Sequence, residues 1–277
     1  MPNRTLIATA ALVRDTFREA LARKIFWGFF GSSTMIVLFF LFIMKIDVVE
    51  GALATYSLFG REHHASVNEL MRQVHGGLAA FLYTAGMLLA VLASAGLIPS
   101  IFEPGRIELL LSKPVTRYHI LLGRYLGNLL VVAFNIFYLI LTVWIILGVK
   151  TGIWMSAFLI SGLLTVFIFS VLLTVVVLIG VLWESAAVAT IVTFALMILS
   201  VILAQKNTLE RLLSSEWQRN VVRFFYYAFP KIVDVGAMGR KLILGTPVDS
   251  WMPVWSTALF GIVLLSASVL IFSKRDY

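Results

Sequence analysis

The chain has 277 residues, of which 60% are hydrophobic and only 13% are charged. An average soluble domain carries about a quarter charged residues, so this chain has too little charge to cover a soluble globule of its size. The mean hydropathy of +0.97 also argues strongly against a soluble enzyme. One helical crossing of a bilayer needs about 20 apolar residues, and the length therefore accommodates about six crossings.

The charge and the cysteine count set weaker limits. Cysteine is absent, which excludes disulfides and thiolate metal sites. The formal net charge is +8. In a membrane protein such an excess fits loops that face an anionic leaflet, and we expect no nucleic acid partner.

The first predicted element is an amphipathic helix over residues 5–24. Its charged residues interrupt the apolar face at positions where Asp15 could pair with Arg18, and Glu19 with Arg23. The segment predicts an elbow helix that lies along the membrane surface, with an ordinary cytoplasmic helix as the alternative. The apolar residues recur at spacings of three and four: Leu6, Ala10, Val13, Phe17 and Leu21.

Six stretches almost free of charge predict membrane-spanning helices. Each is long enough to cross the hydrocarbon layer as a helix. The predicted spans are about 25–44, 76–102, 120–149, 153–182, 186–205 and 251–273. We expect a tight hairpin turn at Trp183, Glu184 and Ser185, because a lone carboxylate is less costly at the surface than inside the bilayer. The predicted fold is therefore all-α, with residues 1–277 forming a single transmembrane domain.

Basic residues predict the orientation. The two terminal segments and the loop between spans 2 and 3 carry eleven Lys and Arg residues, against four in the first two loops of the opposite side. The positive-inside rule therefore places both termini in the cytoplasm. The loop over residues 205–250 carries seven more on the opposite side and conflicts with this assignment.

The same loop contains a second amphipathic pattern. Pro230 would end a helix there, and we expect this helix to lie on the outer membrane surface or to dip partly into it. The apolar residues that share one arc are Leu209, Leu212, Leu213, Trp217, Val221, Phe224, Phe225 and Ala228.

Several kinds of chemistry have no motif in this chain. The sequence lacks G-x-x-x-x-G-K-[ST], so it is not expected to hydrolyse ATP by itself. It also lacks H-E-x-x-H, the zinc motif of metalloproteases. Ion-coupled carriers usually keep charged residues near the midplane of the bilayer, and their scarcity here disfavours that class.

A few polar and small residues inside the predicted spans stand out. Asn128 and Asn135 share one helix face and could either hold helices together, the commoner role, or line a path. Gly123-x-x-x-Gly127 matches a motif for close helix contact.

A metal site is a weaker candidate. Glu62, His63 and His64, with His75 nearby, could bind a metal ion. Adjacent histidines point to different faces of regular structure, so a solvated loop is favoured and no metal is predicted.

The most informative stretch follows the second span, from Glu103 to Gly127. Pro104 and Gly105 break the incoming helix, and Thr116 can cap the next one. The residues between them allow one or two helical turns with a charged and an apolar face. Such an element suits docking on a partner, and from the residues alone a solvated turn is an equal alternative.

This loop resembles a known family. The pattern Glu-x-Gly-x-x-Glu-x-Leu-Leu-Ser-x-Pro-x-x-Arg, followed by Gly-Arg and Gly, is similar to the first cytoplasmic loop of ABC-2-type permeases, the membrane subunits of one class of ABC exporter. The elbow, the six spans and the hairpin at Trp183 are similar as well. Pro104 and Arg106 on either side of Gly105 depart from the usual family pattern, which carries more glutamates before this glycine and a threonine after it.

The resemblance implies a function. Such a permease is not itself an enzyme and holds no cofactor, since a separate ATPase subunit binds ATP and Mg²⁺. Two permeases, here expected as a homodimer, would join two ATPases in the bacterial cytoplasmic membrane, with a path lined by spans 1, 2 and 5. The alternative is a non-transporting subunit of the same fold that transmits ATP-driven motion to a protein on the outer side.

The resemblance also assigns roles to residues. The coupling element that receives motion from the ATPase would comprise Glu103, Gly105, Arg106, Glu108, Leu110, Ser112 and Pro114. The elbow helix would contribute Arg14, Arg18, Arg23 and Lys24.

Overall fold

The computed structural model describes residues 2–22, 24–49, 53–58, 61–97, 99–102 and 116–274. It confirms a helical membrane fold with six helices long and apolar enough to span a bilayer. Spans 1 to 6 cover Phe26–Ile43, Val67–Ile101, Arg117–Thr151, Ser156–Trp183, Ala186–Ala204 and Met252–Lys274. Because the number is even, the segments before span 1 and after span 6 lie on one side, here called the terminus side, and the other is called the far side.

The chain begins with two consecutive helices. Helix α1 (Pro2–Ala22) covers residues 5–22 of the predicted elbow, while Lys24 already belongs to the next helix. The position of α1 relative to a membrane stays a prediction. Helix α2 (Lys24–Leu38) continues as a π-helical turn, Phe39–Ile43, and the two form span 1. At its far-side end the ammonium of Lys150 donates to the carbonyl oxygens of Phe40, Leu41 and Met44 at 2.8–2.9 Å. The end of span 3 thereby caps carbonyl groups that span 1 leaves unpaired.

A small antiparallel sheet connects span 1 to span 2, and the sequence analysis did not predict it. Strands β1 (Lys45–Val49), β2 (Leu53–Leu58) and β3 (Arg61–Ser66) pair in the order β1-β2-β3. The sheet is an addition on the far side to the helices of the described residues.

Span 2 starts earlier than the charge-free stretch predicted. Helix α3 (Val67–Phe81) is capped by Ser66, whose hydroxyl accepts a hydrogen bond from the backbone N–H of Glu69. A π-helical turn (Leu82–Gly86), helix α4 (Met87–Ala95) and a short 3₁₀ helix (Pro99–Phe102) complete it. A serine N-cap with glutamate three residues later allows helix formation through the charged first turns.

Spans 3 to 5 are helices α5 (Arg117–Thr151), α6 (Ser156–Trp183) and α7 (Ala186–Ala204). Gly152 ends α5 with φ of 74°, a conformation that glycine adopts without steric strain. The predicted hairpin forms between α6 and α7, with Glu184 in the left-handed conformation and the Ser185 hydroxyl accepting from the N–H of Val188. Helix α6 is the central helix of the fold, since it packs against α3, α4, α5, α7 and the last span.

The loop after span 5 folds into three helices rather than the single predicted one. They are α8 (Lys206–Leu212), α9 (Glu216–Ala228) and α10 (Ile232–Leu244), and α11 (Met252–Lys274) forms span 6. The predicted helix is interrupted at residues 213–215, while Pro230 lies between α9 and α10 as expected. Helix α10 is partly buried against α3, α6 and α7, and its burial was not predicted.

Candidate functional site

Helix α1 packs tightly against the first half of span 3. Its residues Leu12, Thr16 and Ala20 are buried at a spacing of four, which places them on one helix face. Leu12 and Thr16 meet Gly123 and Gly127 of α5, where an added Cβ atom would lie 2.8 Å from Leu12 Cβ and 2.6 Å from Thr16 Cβ. The predicted close contact at these glycines therefore forms, and the partner is α1.

An ion-pair network fixes the same contact. Arg124, between the two glycines, is completely buried. Its Nη2 lies 3.1 Å from Asp15 Oδ2 and its Nη1 lies 2.5 Å from Glu19 Oε2. The suggested pairing of Asp15 with Arg18 is therefore replaced by a contact to span 3, because an arginine inside the helix interface needs a counter-charge more than an exposed one does.

Glu19 also reaches the end of span 2. Its Oε1 accepts a hydrogen bond of 3.0 Å from the hydroxyl of Ser100, which belongs to the last turn before residue 103. The Glu19 carboxylate thus contacts Ser100 before the segment 103–115 and Arg124 after it. We call Asp15, Glu19, Ser100 and Arg124 the terminus-side clamp.

The predicted coupling residues lie outside the described residues. This applies to Glu103, Gly105, Arg106, Glu108, Leu110, Ser112 and Pro114, and also to Arg23 of the elbow. Arg14, Arg18 and Lys24 are exposed and take no part in the clamp. Sequence reasoning missed Arg124 and Ser100, although an arginine between two closely packed glycines was a signal that a counter-charge lies on the facing helix.

Polar contacts also join the spans within the predicted bilayer. The Ser33 hydroxyl of span 1 donates to Asn135 Oδ1 at 2.8 Å. Asn128 Nδ2 donates to the carbonyl oxygen of Ser94 in span 2 at 3.3 Å. Both asparagines are buried and each ties span 3 to a different neighbour, which is the helix-joining role that was the commoner alternative.

The suggested metal site gains no support from the described residues. His75 is buried in span 2, where its Nδ1 contacts the carbonyl oxygen of Met71 at 2.7 Å and its ring packs edge-on against Phe158. The side chains of Glu62, His63 and His64 lie outside those that the structure describes. His75 is therefore used for helix packing.

An apolar groove lies among spans 2, 4 and 5, with α10 as its fourth wall. Its cavity volume is about 400 Å³. Small side chains leave the space open, and on the faces of spans 2 and 5 Leu88, Ile198 and Val201 are exposed. The lining includes Ala80, Tyr83, Thr165, Val201, Gly236 and Arg240.

The π-helical turn of span 2 shapes this groove. It carries Tyr83, whose hydroxyl donates to the carbonyl oxygen of Ile232 at the start of α10. The Tyr83 ring lies against Gly236, where an added Cβ would come within 2.6 Å of the ring. Span 2 and α10 are thus attached to each other along one wall, and a π turn at a cavity is a frequent feature of functional sites.

Comparison with known protein families gives a match over most of the chain. The family model described as "ABC-2 family transporter protein" matches residues 10–277, which is nearly the whole chain. No curated protein matches the sequence.

Proposed function

This chain belongs to the ABC-2 family of transporter proteins, and on that premise we propose that it is the membrane permease of an ATP-driven exporter whose ATPase is a separate subunit. The observation that carries the proposal is the terminus-side clamp. Glu19 contacts Ser100 and Arg124, which flank the segment 103–115 that resembles a coupling element.

The clamp supports a route for mechanical coupling. A push on residues 103–115 acts on the end of span 2 and the start of span 3, and both are tied to α1 through Glu19. Since the glycine contact at Thr16 leaves no space between α1 and span 3, these elements move together. Closure of the ATPase subunits would in this way move spans 2 and 3 together with the elbow.

The proposal requires the terminus side to be cytoplasmic, where ATP is available. The basic residues before span 1 and in the loop between spans 2 and 3 support this orientation, because the first helix usually dominates. The seven basic residues of the 205–250 loop argue against it, since they place as many basic residues on the far side as on the terminus side.

The groove supports an amphipathic or lipid-like cargo. Its walls are mostly apolar, and Arg240 and Thr165 add a few polar groups. A mostly apolar cavity with a small number of polar groups is the usual form of a small-molecule site. The groove residues of spans 2 and 5 are partly exposed at the surface of the protein. This agrees with a path shared between two permeases in a complex of two permeases and two ATPases.

A single-cysteine cross-link tests the proposal. The chain has no cysteine, so Glu108→Cys introduces one reactive thiol in the proposed coupling element. We expect a bifunctional thiol-amine reagent to join this variant to an ABC ATPase subunit co-expressed with it in membranes. The matched control is Asn220→Cys in α9 on the far side, which should give no such product. Equal cross-linking of both variants, or none with Glu108→Cys, contradicts the proposal.

A second candidate function is favoured by the surface of α9. None of its residues is buried, and Trp217 and Phe224 are 72% and 68% exposed. This surface suits a non-transporting subunit that passes ATP-driven motion to a protein on the far side. Cargo-stimulated ATPase activity of the reconstituted complex supports the exporter, whereas stimulation only by a protein that requires Trp217 and Phe224 supports the second function.

A further inference from the structure

Two lysines and two tyrosines form a compact cluster at the far side. The Nζ atoms of Lys206 and Lys231 each lie 4.7 Å from the centroid of the Tyr226 ring. They lie 5.2 Å and 5.5 Å from the centroid of the Tyr227 ring. Two ammonium groups thus share the same pair of aromatic rings, each within the usual range of a cation–π contact.

One of these ammonium groups is buried. Lys231 is only 3% exposed, and its Nζ donates to the Ser256 hydroxyl at 2.9 Å. Burial lowers the pKa of Lys231; the nearby Asp234 carboxylate offsets this in part, and the charge of Lys206 adds to it. A buried ammonium beside a second one is electrostatically unfavourable unless an anion lies close by.

The protein supplies little negative charge at this point. Asp234 lies near Lys231, and its Oδ2 accepts a hydrogen bond of 2.8 Å from the Tyr226 hydroxyl. Glu210 lies near Lys206 but is already paired with Arg223 at 3.0 Å. Within the part of the chain that the structure describes, no carboxylate forms an ion pair with Lys206 or Lys231. The cluster therefore holds more positive than negative charge.

The position of the cluster indicates what supplies the missing charge. Lys206 follows directly after span 5, and Ser256 lies in the first turns of span 6. Below them, Ile202, Trp255 and Leu259 are exposed on the two spans and would contact acyl chains. The ammonium groups are thus at the depth of lipid headgroups, where aromatic residues such as Tyr226 and Tyr227 are also common.

We propose that Lys206, Lys231, Tyr226 and Tyr227 bind the phosphate of an anionic lipid headgroup at the far-side ends of spans 5 and 6. The ammonium of Lys206 contacts the phosphate oxygens, and the buried ammonium of Lys231 adds positive charge behind it. The tyrosine rings hold the lysine side chains in place, and the exposed faces of the spans contact the acyl chains. This site is separate from the groove and does not depend on the proposed export activity.

Lipid binding to the purified full chain in mild detergent tests the site. We expect phosphatidylglycerol to bind and raise the thermal unfolding temperature, and zwitterionic phosphatidylcholine to bind at least fivefold more weakly, as expected from about 1 kcal/mol per basic residue near an anionic surface. On the same basis, Lys206→Gln should weaken phosphatidylglycerol binding about fivefold. The matched control is Lys241→Gln, which removes a partly exposed lysine, paired with Asp249, at the other end of α10 and should leave binding unchanged.

The outcomes separate the alternatives. If Lys206→Gln and Lys241→Gln lose phosphatidylglycerol binding equally, binding depends only on the net charge of the protein, and the proposed site is wrong. Binding that Lys206→Gln leaves unchanged overturns it as well. Inorganic phosphate that displaces phosphatidylglycerol and raises the unfolding temperature equally would show a small-anion site and overturn the lipid assignment. If Lys231→Gln fails to fold because the residue is buried, Lys206→Gln still decides, since Lys206 is half-buried and outside the core.

Discussion

Glu19 and Arg124 are 105 residues apart in the sequence and form an ion pair in which the arginine is completely buried. The pair fixes α1 against span 3, and the Ser100 contact extends it to span 2. A buried arginine that loses its counter-charges is costly, so the contact restricts how these three elements move relative to one another. Elements that cannot separate transmit a displacement applied to any one of them.

Removing the Glu19 carboxylate is therefore expected to destabilise the fold. Glu19→Leu leaves Arg124 buried with only Asp15, whose side chain is 58% exposed. The expected loss is about 2–3 kcal/mol, below the usual range for a broken buried pair because Asp15 and solvent compensate in part. Thermal unfolding in detergent measures it, with Glu216→Leu on the exposed face of α9 as the control.

The double variant Glu19→Arg/Arg124→Glu completes this test. If the ion pair itself matters, the exchanged charges should recover part of the stability and of the ATPase stimulation that Arg124→Glu alone loses. If the double variant is no more stable than the less stable single variant, electrostatic pairing does not explain the stability. The two positions would then tolerate only the native arrangement of side chains.

Replacing glycine by alanine should change the stability of the fold in opposite directions at an open glycine and at one in the contact with α1. Gly77→Ala in α3 should stabilise the protein by up to about 1 kcal/mol, because glycine is a poor helix former and an added Cβ there meets no atom within 4 Å. Gly127→Ala should destabilise it, because the added Cβ would lie 2.6 Å from Thr16 Cβ. Unfolding temperatures of the two variants measure the contrast, and stabilisation by both would contradict close packing of α1.

Charge-free stretches were enough to predict six spans, though not the start of span 2, because a bilayer penalises charge so strongly that local composition decides where the chain crosses. The clamp could be predicted only in part. Gly123 and Gly127 indicated a close contact, but its partner depends on how a helix more than 100 residues away is oriented. The carboxylates of Asp15 and Glu19 have nearer arginines in the sequence, and only the buried position of Arg124 decides the pairing.

The far side was harder to predict for a different reason. The sheet of β1 to β3 consists of short strands that pair with one another, and short strands carry little periodic signal. Helix α10 is short and stabilised by tertiary contacts, among them Tyr83 against Gly236 and Arg72 Nη1 donating to the carbonyl oxygen of Leu244. Such contacts between distant segments cannot be read from local composition.

Filling the groove should block transport without disturbing assembly. Ala80 is an exposed residue of the groove wall, and Ala80→Phe places a large side chain in the cavity of about 400 Å³. We expect cargo-stimulated ATPase activity to fall at least tenfold, while the amount of ATPase subunit that co-purifies stays the same, since ~1.4 kcal/mol of lost binding already gives tenfold. Ala187→Phe, an exposed position at the start of span 5, is the matched control and should behave as the native chain.

The ion pair that joins α8 and α9 should depend on pH. Arg223 donates from Nε and Nη2 to the two oxygens of Glu210, each at 3.0 Å. These hydrogen bonds lower the pKa of Glu210 below its ordinary value of 4.5. A carboxyl group whose pKa is lowered by folding stabilises the folded form above the ordinary pKa, and that contribution is lost as the pH falls through the lowered value.

We therefore expect the two helices to stay together at neutral pH and to separate only below pH 4.5. Spin labels on Leu212→Cys and Asn220→Cys, both exposed positions in a chain without other cysteines, report the distance distribution between them. It should be narrow at pH 7 and broaden in acid. Glu210→Gln keeps the size of the side chain without its charge, so its distribution should already be broad at neutral pH. A narrow distribution in Glu210→Gln would show that the ion pair does not hold α8 against α9.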